Sequence, residues 1–384
     1  MPSAAILAKP LVSKIAHAIR QAGGWIAFDA FMALALYAPG LGYYANASAK
    51  FGTMPHTADG ERSDFVTAPE MTRLFGQTLA TQIVEALAAT ETSDLWEFGA
   101  GSGALALHMV SELDRLGVPW RSYTIVELSE SLRDRQKATL AGFGEKIRWV
   151  DRLPSEMRGV IVGNEVLDAM PVKLIMRRDG EWHERGVGLV EAPDKCQDVR
   201  FTWLDRPTDL RPPLVIEGQH DYLCEIHAQA EAFVRTLADH LEHGVVFFID
   251  YGFPEQEYYH PQRHMGTLMC HRAHLADSNP LEDAGLKDIT AHVNFTGIAL
   301  AGQEAGFDVL GYCNQARFLM NSGMLKRLES ASFAEKSMAQ KLLAEHEMGE
   351  LFKVLGLAKF RRSGGPAPDW TVTGFSIGDR THSL

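Results

Sequence analysis

Three glycines at alternate positions, Gly99, Gly101 and Gly103 in the run Glu97-Phe98-Gly99-Ala100-Gly101-Ser102-Gly103, constrain this 384-residue chain more than any other feature. They follow a short apolar run at 95–98 and precede helical spacing over 104–116, so the sequence predicts strand, tight turn and helix in succession. Residues without a Cβ let the main chain turn sharply and lie close to a ligand. The free N–H groups that open the following helix point the same way. Tight turns that bind nothing share a glycine run, and the strand-turn-helix setting is what gives this one its weight.

The pattern repeats along the chain. Apolar runs at 123–126, 147–150 and 160–162 alternate with a helical segment at 129–140, and 244–250 is a wholly apolar run ending in Asp250. Strand and helix in alternation imply parallel pairing through right-handed crossovers, hence an α/β doubly wound sheet. Runs at 307–312 and 352–358 are expected to form an edge hairpin. Before the sheet lie helices over 11–21 and 28–35, then a long period-free loop over 41–64 of the kind that often serves as a lid. Thr67 and Glu70 have capping-box spacing, and Met71, Phe75, Leu79, Ile83 and Leu87 fall on one face of the helix that should follow. Over 172–214 the period changes to alternation with turns at Asp179-Gly180, which predicts an antiparallel insertion, and a helix is expected near 222–241. The expected organisation is a helical and lid region at 1–90, a core at 91–171 and 244–384, and an insertion at 172–243.

Bulk properties exclude several classes. With 46% hydrophobic and 22% charged residues the chain has ordinary globular composition, and its net charge of −12 argues against a general affinity for nucleic acid or anionic membrane. Cys196, Cys224, Cys270 and Cys313 lie far apart without zinc or redox spacing, so reduced thiols in a cytoplasmic protein and no metal site are expected. No apolar run approaches the roughly 20 residues that span a bilayer, and no secretion signal is visible.

The glycine spacing discriminates between nucleotide ligands. A dinucleotide fingerprint counted from Gly99 or Gly101 would put its last glycine at Ala104 or Ala106. The Gly/Ala variant leaves that reading open, whereas acid-x-Gly-x-Gly-x-Gly is the usual signature of an adenosylmethionine turn. Glu127 ends the next strand, where a carboxylate would accept both ribose hydroxyls; the alternative is a surface acid. In Asn164-Glu165-Val166-Leu167-Asp168-Ala169-Met170-Pro171 the two acids, three apart, would share a face if helical. A carboxylate beside a methyl donor could hold a guanidinium, localise its charge and accept its proton. Glu165 is the foremost candidate, while for Asp168 a helix-start carboxylate serving backbone donors competes closely. Asp250-Tyr251-Gly252 belongs to the same row of strand ends. His292, in Asp288-Ile289-Thr290-Ala291-His292-Val293, is a third catalytic candidate, with a structural histidine as the equal alternative.

Taken together these segments resemble the MidA family, bacterial and mitochondrial S-adenosylmethionine-dependent methyltransferases that include a respiratory complex I assembly factor. The likeness runs from about residue 28 to about residue 359. It is carried by Leu36-Tyr37-Ala38-Pro39 with Gly42-Tyr43-Tyr44, by Asp64-Phe65-Val66-Thr67-Ala68-Pro69-Glu70, by the glycine turn and by the 164–171 run. Ile249-Asp250-Tyr251-Gly252, Gly266-Thr267-Leu268, the 288–293 run and Gln315-Ala316-Arg317-Phe318-Leu319 extend it. Ser63, Met269 and Asn294 depart from the family pattern.

The resemblance implies a Rossmann-like class I methyltransferase fold with an N-terminal helical segment and an antiparallel insertion. It implies S-adenosyl-L-methionine as cofactor and arginine N-methylation of a protein partner, a complex I-type subunit, with symmetric dimethylation in the mitochondrial relative. By that likeness Gly99, Ala100, Gly101, Gly103, Glu127, Leu128 and Asn164 bind the cofactor, and Asp64, Thr67, Pro69 and Glu70 form a lid over it. Glu165 and Asp168 face the arginine. A methyltransferase for a small metabolite, and a non-catalytic assembly factor that binds the cofactor, are the alternatives.

Overall fold

The apolar runs become strands of one eight-stranded, mostly parallel sheet in the computed structural model, which describes residues 4–46, 67–190, 199–272, 275–360 and 370–384, the side chains of 4–8 excepted. In chain order its strands are β1 (Asp94–Phe98), β2 (Ser122–Val126), β3 (Ile147–Val150), β4 (Met157–Asn164), β5 (Leu241–Phe253), β6 (Val293–Asn294), β7 (Asp308–Asn314) and β8 (Phe352–Lys359). They lie in the order β7-β8-β5-β4-β1-β2-β3, with β6 beside the end of β5. The expected hairpin is present: β7 forms the edge, and β8 runs antiparallel between it and β5.

Both faces of this sheet are covered, which is why β5 reads as continuous apolar sequence rather than as alternation. Val245, Phe247 and Ile249 enter one core together with Phe75, Leu79 and Ile83 of the helix Arg73–Thr90 and Leu105 and Met109 of the helix Ala104–Arg115. Val246 and Phe248 enter the other, with Val234 and Leu237 of the helix Ala228–His240 and Ile298 of the helix Phe295–Glu304. A mid-strand substitution such as Phe247→Ala would remove a fully buried ring, a cost of about 3–5 kcal/mol.

The chain runs outward from β1 through β2 to β3, then returns to lay β4 on the other side of β1, in register from Leu95 against Val160 to Phe98 against Gly163. The order therefore reverses between β1 and β4. Such a switch point leaves a crevice beyond the strand C-termini, where ligands of open α/β sheets bind.

The 172–214 segment is antiparallel as expected, and Asp179 (φ 51°) and Gly180 (φ 82°) form its two-residue turn. Its strands Lys173–Arg178, Glu181–Val190 and Arg200–Pro207 pair with Tyr222–Ile226 and with Ile26–Ala27 from the N-terminal region. Phe28, Phe31 and Met32 share one core with Val172, Leu174 and Val187. Packing thus joins the N-terminal helices to the insertion, whereas Arg73–Thr90 and Ala228–His240 belong to the central sheet. The helix expected over 222–241 begins only at Ala228, because Tyr222 and Cys224 alternate into a core with Ile175 as a strand. A third sheet, Met269–Arg272, Leu275–Asp277 and Asp288–Thr290, brings Asp288 toward the crevice.

Candidate active site

A cavity of about 1840 Å³ opens at the switch point. Its floor is the glycine turn, whose Gly99, Gly101 and Gly103 take φ of 64°, 52° and 86°, a left-handed conformation that side chains resist. Gly99 and Gly101 line the cavity. Gly103 does not; it starts the helix Ala104–Arg115 and lies against Gln136.

Glu127 lines the cavity just past β2, buried, with one carboxylate oxygen accepting from the Ser129 N–H at 2.8 Å and the other from the Gln136 amide at 3.0 Å. Burial raises its carboxyl above the ordinary range, opposed by these hydrogen bonds. Gln136 also donates to the Gly101 carbonyl at 3.0 Å and accepts from the Trp149 indole at 3.0 Å, so one amide fixes both the acid and the turn. The Trp149 indole, part-buried against the core, thus has a polar task as well. Glu70 does not complete a capping box with Thr67: its carboxylate accepts from the Ser102 hydroxyl, tying the short helix Ala68–Met71 to the glycine turn. Thr67, Pro69 and Glu70 line the cavity as the lid reading requires of them, as do Ala100 and the exposed Leu128. Asp64 lies outside the described residues, with most of the 41–64 loop.

The other end of the cavity is built on the segment after β4. That segment is a turn rather than a helix, because the Asp250 carboxylate competes for its backbone: one oxygen accepts the N–H groups of Val166, Leu167 and Asp168 at 3.1, 2.9 and 3.2 Å. Asp250 is therefore a support beneath the cavity rather than part of its lining. Glu165 sits at the start of the turn at φ 52°, unusual for a residue with a side chain. Its carboxylate accepts from the Asn164 amide at 3.0 Å, and the other Asn164 atom, Oδ1, is buried without a partner. Asp168 accepts from the Tyr251 hydroxyl on one oxygen and keeps the other buried and unpartnered.

Electrostatics set the two ends apart. Burial, then the charges of Asp168 and Asp288, push the Glu165 carboxyl up to about 8. Burial raises Asp168 to about 6 against the Tyr251 hydrogen bond. Asp250 rises too, through burial and then its two acidic neighbours. His292 lines the same end, its ring edge-on to Tyr251 and Phe253. Burial first, then Arg263 and Lys353, lower it to about 4, so the imidazole is neutral near pH 7. Asn164, Glu165, Asp168 and His292 are thus brought together on one cavity.

Sequence reasoning missed Gln136, Ser102, Tyr37, Tyr44 and Asp288 as site residues. Tyr37 and Tyr44 line the cavity, and Tyr44 donates to both Asp288 oxygens at 2.9 Å. The Tyr-containing motifs at 36–44 and the acid at the head of the 288–293 run were the available signals; Gln136 gave none. Among the described residues no cluster of His, Cys, Asp and Glu is placed to hold a metal ion, and no helix is long and apolar enough to cross a membrane.

The site fits S-adenosylmethionine on its own geometry. A Cβ at Gly99 would stand 3.0 Å from a Val166 methyl, on a backbone at φ 64° that side chains resist, so the cradle is tight there. Asn164 Oδ1 is an orphaned acceptor in the wall, and Glu127, with two donors placed among about four acceptor positions, retains capacity for ribose hydroxyls.

Comparisons with known proteins agree. A family described as "Putative S-adenosyl-L-methionine-dependent methyltransferase" matches residues 78–313. Protein arginine methyltransferase NDUFAF7, mitochondrial, of Danio rerio is 28% identical over 372 residues, covering 88% of this chain and 82% of that protein. The homologue in Caenorhabditis elegans is 25% identical over 414 residues, covering 98% and 91%. Among solved structures, a protein of Burkholderia thailandensis bound to S-adenosyl-homocysteine is 43% identical and superposes with a TM-score of 0.91 over 100% of this chain and 99% of that one.

Proposed function

The chain belongs to this S-adenosyl-L-methionine-dependent methyltransferase family and is an enzyme of that class; from that premise we propose that its acceptor is an arginine guanidinium of a partner protein. The observation that carries the reading is the group of carboxylates at one end of the cavity, Glu165, Asp168 and Asp288. Glu165 and Asp168 form no ion pair among the described residues, so near pH 7 their repulsion is relieved by a proton retained on Glu165 rather than by a cation. An entering guanidinium lowers both pKa values and expels the proton that burial holds on Glu165. The names of the mitochondrial relatives support the same acceptor class. The cavity, at about 1840 Å³, exceeds the roughly 300–1,000 Å³ of ordinary small-molecule sites, which favours a peptidyl acceptor beside the cofactor.

When bound, the cofactor supplies an electrophilic methyl group on a sulfonium. Gly99, Ala100, Gly101, Glu127, Leu128 and Asn164 hold it, and the chain's remaining work lies at the acceptor. Glu165 and Asp168 orient the guanidinium and, by pairing with part of it, concentrate the charge away from the attacking nitrogen. As that nitrogen gains its methyl it loses one proton, which Glu165 accepts. His292, neutral, borders the site and serves as a hydrogen-bonding wall.

A respiratory complex I-type subunit is the proposed partner, on the strength of the family resemblance. The test is mass spectrometry of methylarginine in respiratory complex purified from cells with and without this gene, followed by remethylation in vitro with labelled cofactor. Loss of one methylarginine and its return with the wild-type enzyme, but not with Glu165→Gln, is the expected result. Label appearing only in small metabolites would refute the reading.

A further inference from the structure

We propose that Tyr37 and Tyr44 form an aromatic wall that selects a planar guanidinium over an ammonium at the acceptor end of the cavity, with Asp288 and the 164–171 turn fixing the wall in place. The inference deepens the arginine reading above and rests on it.

The wall begins in the sequence. Helix Phe28–Tyr37 buries Phe28 and Phe31 completely, whereas Tyr37 at its end remains 38% exposed and lines the cavity. The turn that follows returns Tyr44 to stack on it, with ring centroids 5.6 Å apart and planes at 21°. Main-chain bonds from Tyr43 N–H to the Ala35 carbonyl (2.8 Å) and from Tyr44 N–H to the Leu36 carbonyl (2.9 Å) hold the turn against the helix. The approach is so close at Gly42 that a Cβ would stand 2.6 Å from main-chain atoms of Leu36 and Ala38. Tyr43, buried, backs Tyr44 edge-on at 5.1 Å.

Both hydroxyls are committed away from catalysis. Tyr37 donates to the Ala169 carbonyl at 2.8 Å, on the turn that carries Glu165 and Asp168, and Tyr44 donates to Asp288. The hydroxyl bonds fix the direction of both side chains, and the ring surface they present to the cavity is bordered by carboxylates. That arrangement matches a guanidinium, which is planar, weakly hydrated and able to stack while its N–H groups point outward in the plane to acids. An ammonium has no face to stack and gives up a stronger hydration shell.

The test uses the full chain saturated with S-adenosyl-homocysteine and titrated by NMR with two probes, N-acetyl-arginine amide and N-acetyl-lysine amide. The wild type is expected to prefer the arginine probe. Tyr44→Leu and Tyr37→Leu should each reduce the arginine-to-lysine affinity ratio by about 5- to 30-fold, while Tyr44→Phe and Tyr37→Phe, which keep the face, should retain most of it. Affinity for S-adenosyl-homocysteine should be unchanged and reports the fold. Should Tyr44→Leu fail to fold, Tyr37→Leu decides alone, since that ring is already partly exposed and its loss leaves buried Tyr43 in place. A wild-type preference that survives in the leucine variants overturns the wall and leaves the arginine reading standing. Equal binding of both probes by the wild type overturns the two together.

Discussion

Glu127, buried, and Glu165, half-buried, are carboxylates on one cavity, each placed just past a strand that flanks β1, yet their surroundings are opposite. Glu127 has a donor on each oxygen and the Arg133 charge nearby. Glu165 has the Asn164 amide and the Ala68 N–H to set against the charges of Asp168 and Asp288, and its carboxyl rises to about 8. The first environment is complete before any ligand arrives and suits neutral hydroxyls. The second holds a repulsion that a retained proton relieves near pH 7 and that an incoming cation can relieve in its place. One end of the cavity is preorganised through hydrogen bonds, the other through crowded carboxyls that keep a proton until a cation displaces it.

Substitutions at the two ends are expected to separate binding from turnover. The largest effect is expected from Glu165→Gln, which removes the proposed proton acceptor: turnover should fall by about 10²- to 10⁴-fold, with S-adenosyl-homocysteine affinity by calorimetry within about twofold of wild type. A matching loss of cofactor affinity would abolish the distinction. Gly101→Val should act in the opposite sense. Its φ of 52° strains any β-branched residue, so cofactor affinity should drop by about 10- to 100-fold, and turnover should recover as the cofactor concentration is raised.

Asp250→Asn tests the support under the acidic end. The amide keeps one oxygen for the three converging N–H groups but sets its NH2 against the Tyr251 N–H, which donates to the other Asp250 oxygen, loosening the turn without touching the glycine cradle. Turnover should fall about tenfold with acceptor KM raised and cofactor affinity intact. A variant that loses cofactor affinity in parallel would show that the turn serves both ends.

The same division explains what could be read from the residues in order. The glycine turn, β1, β2 with Glu127, and the Phe75-to-Leu87 stripe are local patterns, because a strand, a turn and one helix face are decided by residues a few positions apart, whereas Met71 falls on the separate short helix Ala68–Met71, parted from Arg73–Thr90 by extended Thr72. The acidic end is not local. Asp250 holds backbone donors more than 80 positions away, so helical spacing at 164–171 misleads. Glu70 finds Ser102, 32 positions on, in preference to Thr67, so the capping box is absent. Gln136 lies mid-helix, and nothing in its neighbours shows that its amide meets Gly101, Glu127 and Trp149. Tyr37 and Tyr44 reach the cavity only because Ile26–Ala27 pairs with Val187 and Gly186 of the insertion and carries the N-terminal helices to the crevice.

The smallest effect is also the most direct measure of the stored tension. Glu165 and Asp168 stand at about 8 and about 6 in the folded chain, above their ordinary values of 4.5 and 3.8, so between those limits the folded state binds more protons than the unfolded one. Stability must then decline as pH rises through this window, since ionisation restores repulsion and desolvation that the unfolded chain does not experience. Glu97, buried beneath the glycine turn and raised to about 8 by burial and the Glu127 charge, adds a contribution of the same sign that no acceptor relieves. Thermal unfolding of the wild type and Glu165→Gln from pH 5 to pH 9 separates the two. The variant's advantage should grow with pH to a few degrees, and N-acetyl-arginine amide should shrink that advantage, because the bound cation stabilises the ionised Glu165 that the variant lacks. A constant offset across the range would mean that the Glu165 carboxyl titrates alike in both states, and the acidic end would then hold no tension for a guanidinium to release.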